Sequence, residues 1–251
     1  VFGLYLLCAL VVVGLTVALS RRDVGWNDAA FGALVAAFPN TGFMGVPLLL
    51  ALLGPRSSAP VIVTMVVDLI ITSSLCIALS RLGGSGQTSL TALRNALVGM
   101  LRNPMPWSIA LGALASGARI ALPEPLDRTV GLLAQAASPV ALFTIGAVLA
   151  RSQMNATERT PARQVVPVAL IKLLLHPLLM LGLGRAAIAA GVAISPQALG
   201  VLVLVACLPS ASNVAMLSER FGANTGRIAR IILVSTALSF VTFSAAVTLL
   251  G

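Results

Sequence analysis

Charged residues are scarce in this sequence. Only 9% of its 251 positions are Asp, Glu, Lys or Arg, whereas 58% are apolar; a soluble domain carries about 25% charged residues. Most of the chain is therefore predicted to lie in lipid. The three cysteines, Cys8, Cys76 and Cys207, lie in apolar stretches and lack the spacing of a metal site or a disulfide framework, so buried and unreactive thiols are predicted.

The few polar residues in the apolar stretches do not form a pattern that catalysis requires. The sequence has no paired carboxylates, no HExxH or other metal cluster and no Ser/His/Asp set in these stretches. An intramembrane enzyme is therefore disfavoured, and neither a cofactor nor a bound metal is predicted. Aromatic residues make up only 4% of the chain, which argues against a large stacking platform for a ligand.

Eight segments are long and apolar enough to cross a bilayer. A transmembrane helix needs about 20 mostly apolar residues, and its backbone groups must be satisfied internally. The sequence thus predicts an all-α polytopic membrane protein. Its predicted spans are 1–19, 29–53, 59–79, 104–121, 126–150, 164–183, 196–219 and 227–249.

The basic residues lie mostly between these spans. The net charge of +9 and the pI near 11.4 therefore indicate membrane topology rather than a nucleic-acid partner. If the first span ends in the cytoplasm, eleven arginines are cytoplasmic and four lie on the other side. This asymmetry predicts the orientation of a multi-pass inner-membrane protein. The eleven are Arg21, Arg22, Arg81, Arg94, Arg102, Arg151, Arg159, Arg163, Arg220, Arg227 and Arg230, and the four are Arg56, Arg119, Arg128 and Arg185.

Two predicted spans contain a proline near the middle, followed by small and polar residues. Proline removes a backbone donor and clashes with the carbonyl four residues earlier, so each helix is predicted to break there. A pair of simple proline kinks is the alternative. In broken helices, the N-termini of the half-helices present free amides and a positive dipole to an anion at mid-membrane. The predicted substrate-binding residues are Pro39, Asn40, Thr41, Gly42, Pro209, Ser210, Ser212 and Asn213.

Each broken span has one helix before it and one after it, and by the arginine count the two groups cross the membrane in opposite directions. This pattern predicts inverted repeats. If each repeat has five helices, the second occupies 104–251, and the first, 1–82, lacks two N-terminal helices. Between them, 83–103 is predicted to be a cytoplasmic linker with an amphipathic helix at the interface.

Asp68 and Lys172 are predicted to lie near mid-membrane, where an ionised group costs at least about 2.5–3.5 kcal/mol and therefore needs a partner. We interpret Lys172, the only lysine, as a substrate counter-charge or proton-coupling group, and Asp68 as its partner or as a cation ligand, for example for sodium. A purely structural ion pair between them is the alternative. His176, the only histidine, lies on the same helix face as Lys172 and is either a packed, hydrogen-bonded side chain or a proton relay.

Three motifs carry a resemblance to a known family. They are Pro39-Asn40-Thr41-Gly42 with Gly45 and Pro47, Leu208-Pro209 through Phe221-Gly222, and Ser138-Pro139-Val140-Ala141-Leu142 with Gly146. With these motifs the sequence resembles the auxin efflux carrier family, which includes the plant PIN-formed auxin exporters and many bacterial permeases assigned to malate or malonate.

The resemblance implies ten helices in two inverted repeats, a scaffold domain, a transport domain and elevator-like alternating access. It assigns 104–150 to the scaffold, and 1–82 and 164–251 to the transport domain. Pro39 and Pro209 match the crossover prolines of the family, and Asn40 matches a polar residue that lines its substrate site. Asp68 departs from the family, because it falls near a position that is usually an amide.

Together these observations predict a secondary transporter, a permease for a small organic anion such as malate, malonate, an amino acid or an indole-type acid. An anion or solute channel is an alternative, since broken helices also line pores, and a non-transporting receptor on the same scaffold is another. The lipid bilayer and the anion are the predicted partners. A homodimer, the direction of transport, and coupling to protons or sodium stay open.

Overall fold

The computed structural model describes residues 1–81, 94, 98, 104–155 and 160–250. In these ranges the secondary structure is helical, without a strand longer than a single bridge. The helices, in chain order, are α1 (Phe2–Ser20), α2 (Trp26–Ala37), α3 (Thr41–Leu53), α4 (Pro55–Arg81), α5 (Pro104–Gly117), α6 (Glu124–Asn155), α7 (Ala162–Ala189), α8 (Pro196–Cys207), α9 (Asn213–Arg220) and α10 (Thr225–Leu250).

Helices α1, α4, α7 and α10 are each long and apolar enough to cross a membrane. They have 19 to 28 residues, and the mean hydropathy of their best windows is 2.0 to 2.5. Helices α3 and α8 are shorter apolar segments. The predicted all-α polytopic membrane fold is confirmed, and the ends of the predicted spans differ from those of the helices by a few residues.

The predicted spans that contain Pro39 and Pro209 are both broken rather than kinked. Helix α2 ends at Ala37 and α8 ends at Cys207, and in each case the next residue is extended, with φ −98° and ψ 100° at Phe38 and φ −62° and ψ 152° at Leu208. Each of these extended residues precedes a proline, whose ring disfavours the helical conformation of the residue before it. The simple-kink alternative is therefore wrong for both spans.

Three π-helical segments were not predicted: Thr41–Gly45, Val67–Thr72 and Ile171–Leu175. The first and third each end two residues before a proline, Pro47 or Pro177. A proline ring clashes with the carbonyl four residues earlier, which falls inside the π segment in both cases, and the wider π turn makes room for the ring. These prolines therefore widen their helices without breaking them.

Helices α2 and α8 form the centre of the bundle. Residues 29–37 of α2 and 201–207 of α8 are all buried. Helix α2 packs against α1, α4 and α10, and α8 packs against α4, α7 and α10. Five of the buried α2 residues are alanines, and such small side chains let neighbouring helices approach closely. The breaks at the ends of α2 and α8 are thereby held inside the protein.

Some predictions concern parts of the chain or relations that the structure does not test. The interfacial helix of 83–103 falls outside the described residues, apart from positions 94 and 98. The division at 82 and 103 and the inverted-repeat relation stay predictions. The predicted span of 126–150 corresponds to α6, a single helix of 32 residues with Pro139 inside it.

Candidate functional site

The two helix breaks meet and pair with each other. The backbone amide of Asn40 donates to the carbonyl of Pro209 at 2.8 Å, and the amide of Ala211 donates to the carbonyl of Phe38 at 2.9 Å. Pro39 and Ser210 face each other as an antiparallel bridge. Backbone groups inside a membrane need hydrogen-bond partners within the protein. Through this pairing, each break provides partners for backbone amides and carbonyls of the other that no longer bond within a helix.

Side chains satisfy further backbone groups at the breaks. The hydroxyl of Ser235 on α10 accepts a hydrogen bond from the amide of Ser210 at 3.2 Å. Lys172 on α7 donates from Nζ to the carbonyl of Ala206 at 2.9 Å. That carbonyl belongs to the last turn of α8, where carbonyls have no partner within the helix and a cation is favourable. Lys172 thus caps one of the four half-helices that end at the crossover.

A cavity of about 270 Å³ adjoins the crossover. Its polar lining comes from Asn40, Asn213 and Ser108, the last of these on α5. The rest of the lining is apolar and includes Phe43 and Met65. We call this space the crossover cavity. Of the predicted substrate-binding residues, Pro39, Asn40, Gly42 and Asn213 line it.

The other four predicted residues lie behind this lining. Thr41, Ser210 and Ser212 are buried, and Pro209 takes part in the backbone pairing described above. The side-chain amide of Asn40 donates to the hydroxyl of Ser212 at 3.5 Å, which links the two breaks a second time. The structure therefore brings all eight residues together, in two layers.

No charged side chain lines the crossover cavity among the residues that the structure describes. The positive potential there comes instead from the first turns of α3 and α9, which both begin at the crossover. The first amides of a helix have no partner within the helix, and the helix dipole adds partial positive charge at that end. The cavity can therefore receive a small anion without a basic side chain.

A second group of polar residues lies completely buried in the bundle. Asp68 accepts hydrogen bonds from the hydroxyl of Tyr5 at 2.7 Å and from that of Thr72 at 3.3 Å. Nζ of Lys172 lies 3.1 Å from Nδ1 of His176. We call Tyr5, Asp68, Thr72, Lys172 and His176 the buried polar cluster. It joins α1, α4 and α7.

Asp68 and Lys172 do not form the direct ion pair that was the structural alternative. Within the described ranges, the ion pairs shorter than 4.0 Å are Arg128 with Glu124 and Arg163 with Asp23. Tyr5 lies between the two halves of the cluster: its hydroxyl binds Asp68, and its ring centre is 6.3 Å from that of His176, within the usual range of aromatic contacts. The coupling roles predicted for Asp68, Lys172 and His176 stay predictions.

Sequence reasoning missed several residues of these two sites, among them Tyr5, Thr72, Ser108 and Met65. Tyr5 is the only tyrosine of the chain and stands in an otherwise apolar span, a signal that could have identified it. Ser108 and Met65 had no such signal, because each reaches the crossover cavity from a helix distant from it in sequence.

Comparison with known protein families identifies the family to which this chain belongs. The model of the membrane transport protein family matches residues 1–247. The chain belongs to the auxin efflux carrier family of membrane transport proteins. The resemblance drawn from the crossover motifs is thus confirmed.

Bacterial proteins named as transporters align with most of the chain. It is 32% identical over 218 residues to a protein of Rhizobium meliloti (strain 1021) named "Putative malonate transporter", covering 86% of this chain and 65% of that protein. It is 27% identical over 200 residues to the transporter YfdV of Escherichia coli K12 and to its counterpart in Shigella flexneri, covering 79% of this chain and 60% of each. The chain thus spans less than two thirds of the length of these relatives. They are named as transporters and not as enzymes.

Proposed function

We propose that this chain forms the larger part of a secondary active transporter for a small organic anion, a dicarboxylate such as malonate. The anion binds at the crossover of the two broken helices and crosses the membrane by elevator-like alternating access. The observation that carries this proposal is the hydrogen-bonded crossover with its adjoining cavity. Membership of the family and the name of the Rhizobium relative support the substrate class.

The size and the polar groups of the crossover cavity suit a small dicarboxylate. Ligand pockets of proteins usually measure about 300–1,000 Å³, and this cavity, at about 270 Å³, lies just below that range. The side-chain amides of Asn40 and Asn213 and the hydroxyl of Ser108 can donate hydrogen bonds to carboxylate oxygens. Each break also contributes one helix N-terminus, so two donor groups face a ligand with two carboxylates.

The cavity also fits the proposed division into a moving and a static domain. Ser108 lies in 104–150, the proposed scaffold, whereas the crossover belongs to the proposed transport domain of 1–82 and 164–251. A substrate held between these parts becomes accessible from the other side when one part slides along the other, which is how alternating access works in inverted-repeat carriers.

We further propose that the buried polar cluster couples transport to a proton or a sodium ion. Asp68 is a fully buried carboxylate whose oxygens accept two hydroxyl donors, and a carboxylate can take up a proton or contribute to a sodium site. Lys172 connects the cluster to the crossover through the carbonyl of Ala206. Bacterial relatives and the arginine asymmetry support a location in the bacterial inner membrane.

Uptake by the purified full-length protein in proteoliposomes tests this function. We expect saturable malonate uptake that supports counter-flow and depends on a proton or sodium gradient. Asn40→Ala and Asn213→Ala should each lower kcat/KM about tenfold, which corresponds to the loss of one hydrogen bond to a charged group. Gln197→Ala, which removes an exposed amide at the start of α8, is the matched control and should transport normally.

Two results would contradict the proposal. Ohmic single-channel currents in place of saturable uptake would favour the channel alternative. Full activity of both asparagine variants would place the substrate away from the crossover cavity.

A further inference from the structure

A second cavity, of about 240 Å³, lies where α1 ends and α7 begins. Its charged lining consists of Arg22, Asp23, Arg163 and Arg227, so three arginines face one aspartate. We call it the arginine cavity. Its three arginines all belong to the side that the arginine count predicts to be cytoplasmic, and the cavity shares no lining residue with the crossover cavity.

Arg227 brings a buried positive charge to this cavity. Only 2% of its surface is exposed. Its Nε donates to the carbonyl of Gln164 at 3.1 Å and its Nη1 to the carbonyl of Asp28 at 2.8 Å. Among the described residues, however, no carboxylate lies within 4.0 Å of its guanidinium. Asp28 and Asp23 interact with this guanidinium electrostatically, without an ion-pair contact. A buried charge is costly unless opposite charge balances it, and two aspartates among three arginines leave a positive excess that an anion in the cavity would balance.

The helix ends around the arginine cavity add positive potential. Helices α7 and α10 begin close to it, and the first turns of both lack an acidic residue while each holds an arginine, Arg163 or Arg227. A helix N-terminus carries partial positive charge and normally favours an acidic side chain. Here the dipoles and the guanidinium groups have the same sign. Two aspartates offset part of this charge: Asp23, at 3.8 Å from Nε of Arg163, and Asp28, whose carboxylate accepts from the amide of Asn224 just before α10.

The apolar side of the arginine cavity continues onto exposed apolar surface. Leu19, Pro167 and Ile171 line it. Leu19 on α1 and Val166 and Leu170 on α7 are exposed by 42%, 43% and 43%. A ligand with an anionic group and a long apolar part could therefore place the first among the arginines and the second along α1 and α7.

We propose that the arginine cavity binds the phosphate of an acidic phospholipid, whose acyl chains lie along α1 and α7. Basic pockets between transmembrane helices at the cytoplasmic side are suited to such head groups. The site is independent of the substrate that the crossover cavity takes.

Binding of phosphatidylglycerol to the full-length protein in detergent tests the proposal, with native mass spectrometry and thermal unfolding as readouts. We expect phosphatidylglycerol to bind and to raise Tm, whereas phosphatidylcholine and inorganic phosphate at the same concentration should not. Arg22→Gln and Arg163→Gln should each weaken phosphatidylglycerol binding about fivefold, as expected for one arginine near an anionic head group. Both side chains are exposed, so both variants should fold, which the Tm without lipid verifies.

Arg185→Gln is the matched control, because Arg185 is exposed on the same helix α7 and is predicted to lie on the opposite side of the membrane. It should bind phosphatidylglycerol like the unchanged protein. The proposal is wrong if phosphatidylcholine binds equally well, or if the Arg22 and Arg163 variants bind like the control. It is also wrong if inorganic phosphate alone reproduces the rise in Tm, because the cavity would then take a free anion and not a lipid.

Discussion

The crossover cavity and the buried polar cluster differ in how they handle charge. The cavity is accessible, and its lining offers amides, a hydroxyl and helix N-termini but no charged side chain of a described residue. The cluster contains Asp68 and Lys172, both with no exposed surface. The cluster reaches the crossover, though not the cavity lining, where Lys172 caps α8. A change of charge in the cluster would thus affect a ligand in the crossover cavity through the C-terminal end of α8 and not by direct contact.

Replacing Lys172 should have the largest effect on stability. Lys172→Met leaves the carbonyl of Ala206 without its donor and leaves Asp68 without a compensating charge nearby. We expect a loss of about 3 kcal/mol, measured as a fall in Tm of about 10 °C in thermal unfolding. Arg56→Met, which removes an exposed cation, is the control. Equal Tm values for the two variants would show that the cation is not needed for packing.

The double variant that combines Lys172→Met with Asp68→Asn shows whether the effects of the two charges of the cluster on stability depend on each other. Asp68→Asn removes the negative charge while keeping two polar atoms in its place. If Asp68 and Lys172 interact through the cluster, the double variant should be more stable than the sum of the single effects predicts, by about 0.5–3 kcal/mol. Strict additivity would mean that the aspartate and lysine halves are independent, and it would weaken the coupling role proposed for them.

A methyl group at Gly45 should disturb the packing beneath the crossover. A Cβ atom there would lie 2.6 Å from Cδ1 of Leu208, a residue with no exposed surface. We expect Gly45→Ala to cost about 1–3 kcal/mol through overpacking. At Gly42 the same atom would only touch Cε of Met65, at 3.6 Å. Gly42→Ala should therefore keep Tm and alter uptake instead, because Gly42 lines the cavity. A lower Tm for Gly42→Ala and an unchanged Tm for Gly45→Ala would contradict this assignment.

Removing the hydroxyl of Tyr5 should have the smallest of these effects. Tyr5→Phe keeps the ring but deletes the 2.7 Å hydrogen bond to Asp68, and about 1–2 kcal/mol of stability should be lost. Thr72→Val deletes the longer bond of 3.3 Å and should cost less. The ion dependence of uptake should change in the Tyr5 variant if Asp68 is the coupling group. A larger loss for the Thr72 variant would mean that Tyr5 is not the main partner.

Features that depend on local sequence could be predicted. The long apolar runs indicate the spanning helices, and the backbone chemistry of Pro39 and Pro209 indicates where two of them break. The residues after these prolines include the amides that line the crossover cavity. Even the π turn before Pro177 follows from a proline ring and the carbonyl behind it, although we did not predict it.

Features that depend on which helices meet could not be predicted. Nothing in an apolar run indicates that Tyr5 reaches Asp68, or that Ser108 reaches the crossover. Arg227 was assigned to the cytoplasmic side from its position between spans, yet it is buried, because α2 and α7 supply carbonyls to it. These contacts join residues between 63 and 199 positions apart.

The crossover is held together by peptide groups, which every residue type other than proline supplies in full. Substitutions around it can therefore alter the chemistry of the lining while the junction itself keeps its geometry. We therefore expect relatives with different amide and hydroxyl side chains lining the crossover cavity to differ in substrate and to share the same backbone structure at the crossover. Exchanging the lining residues between two such relatives would then be a direct way to transfer selectivity.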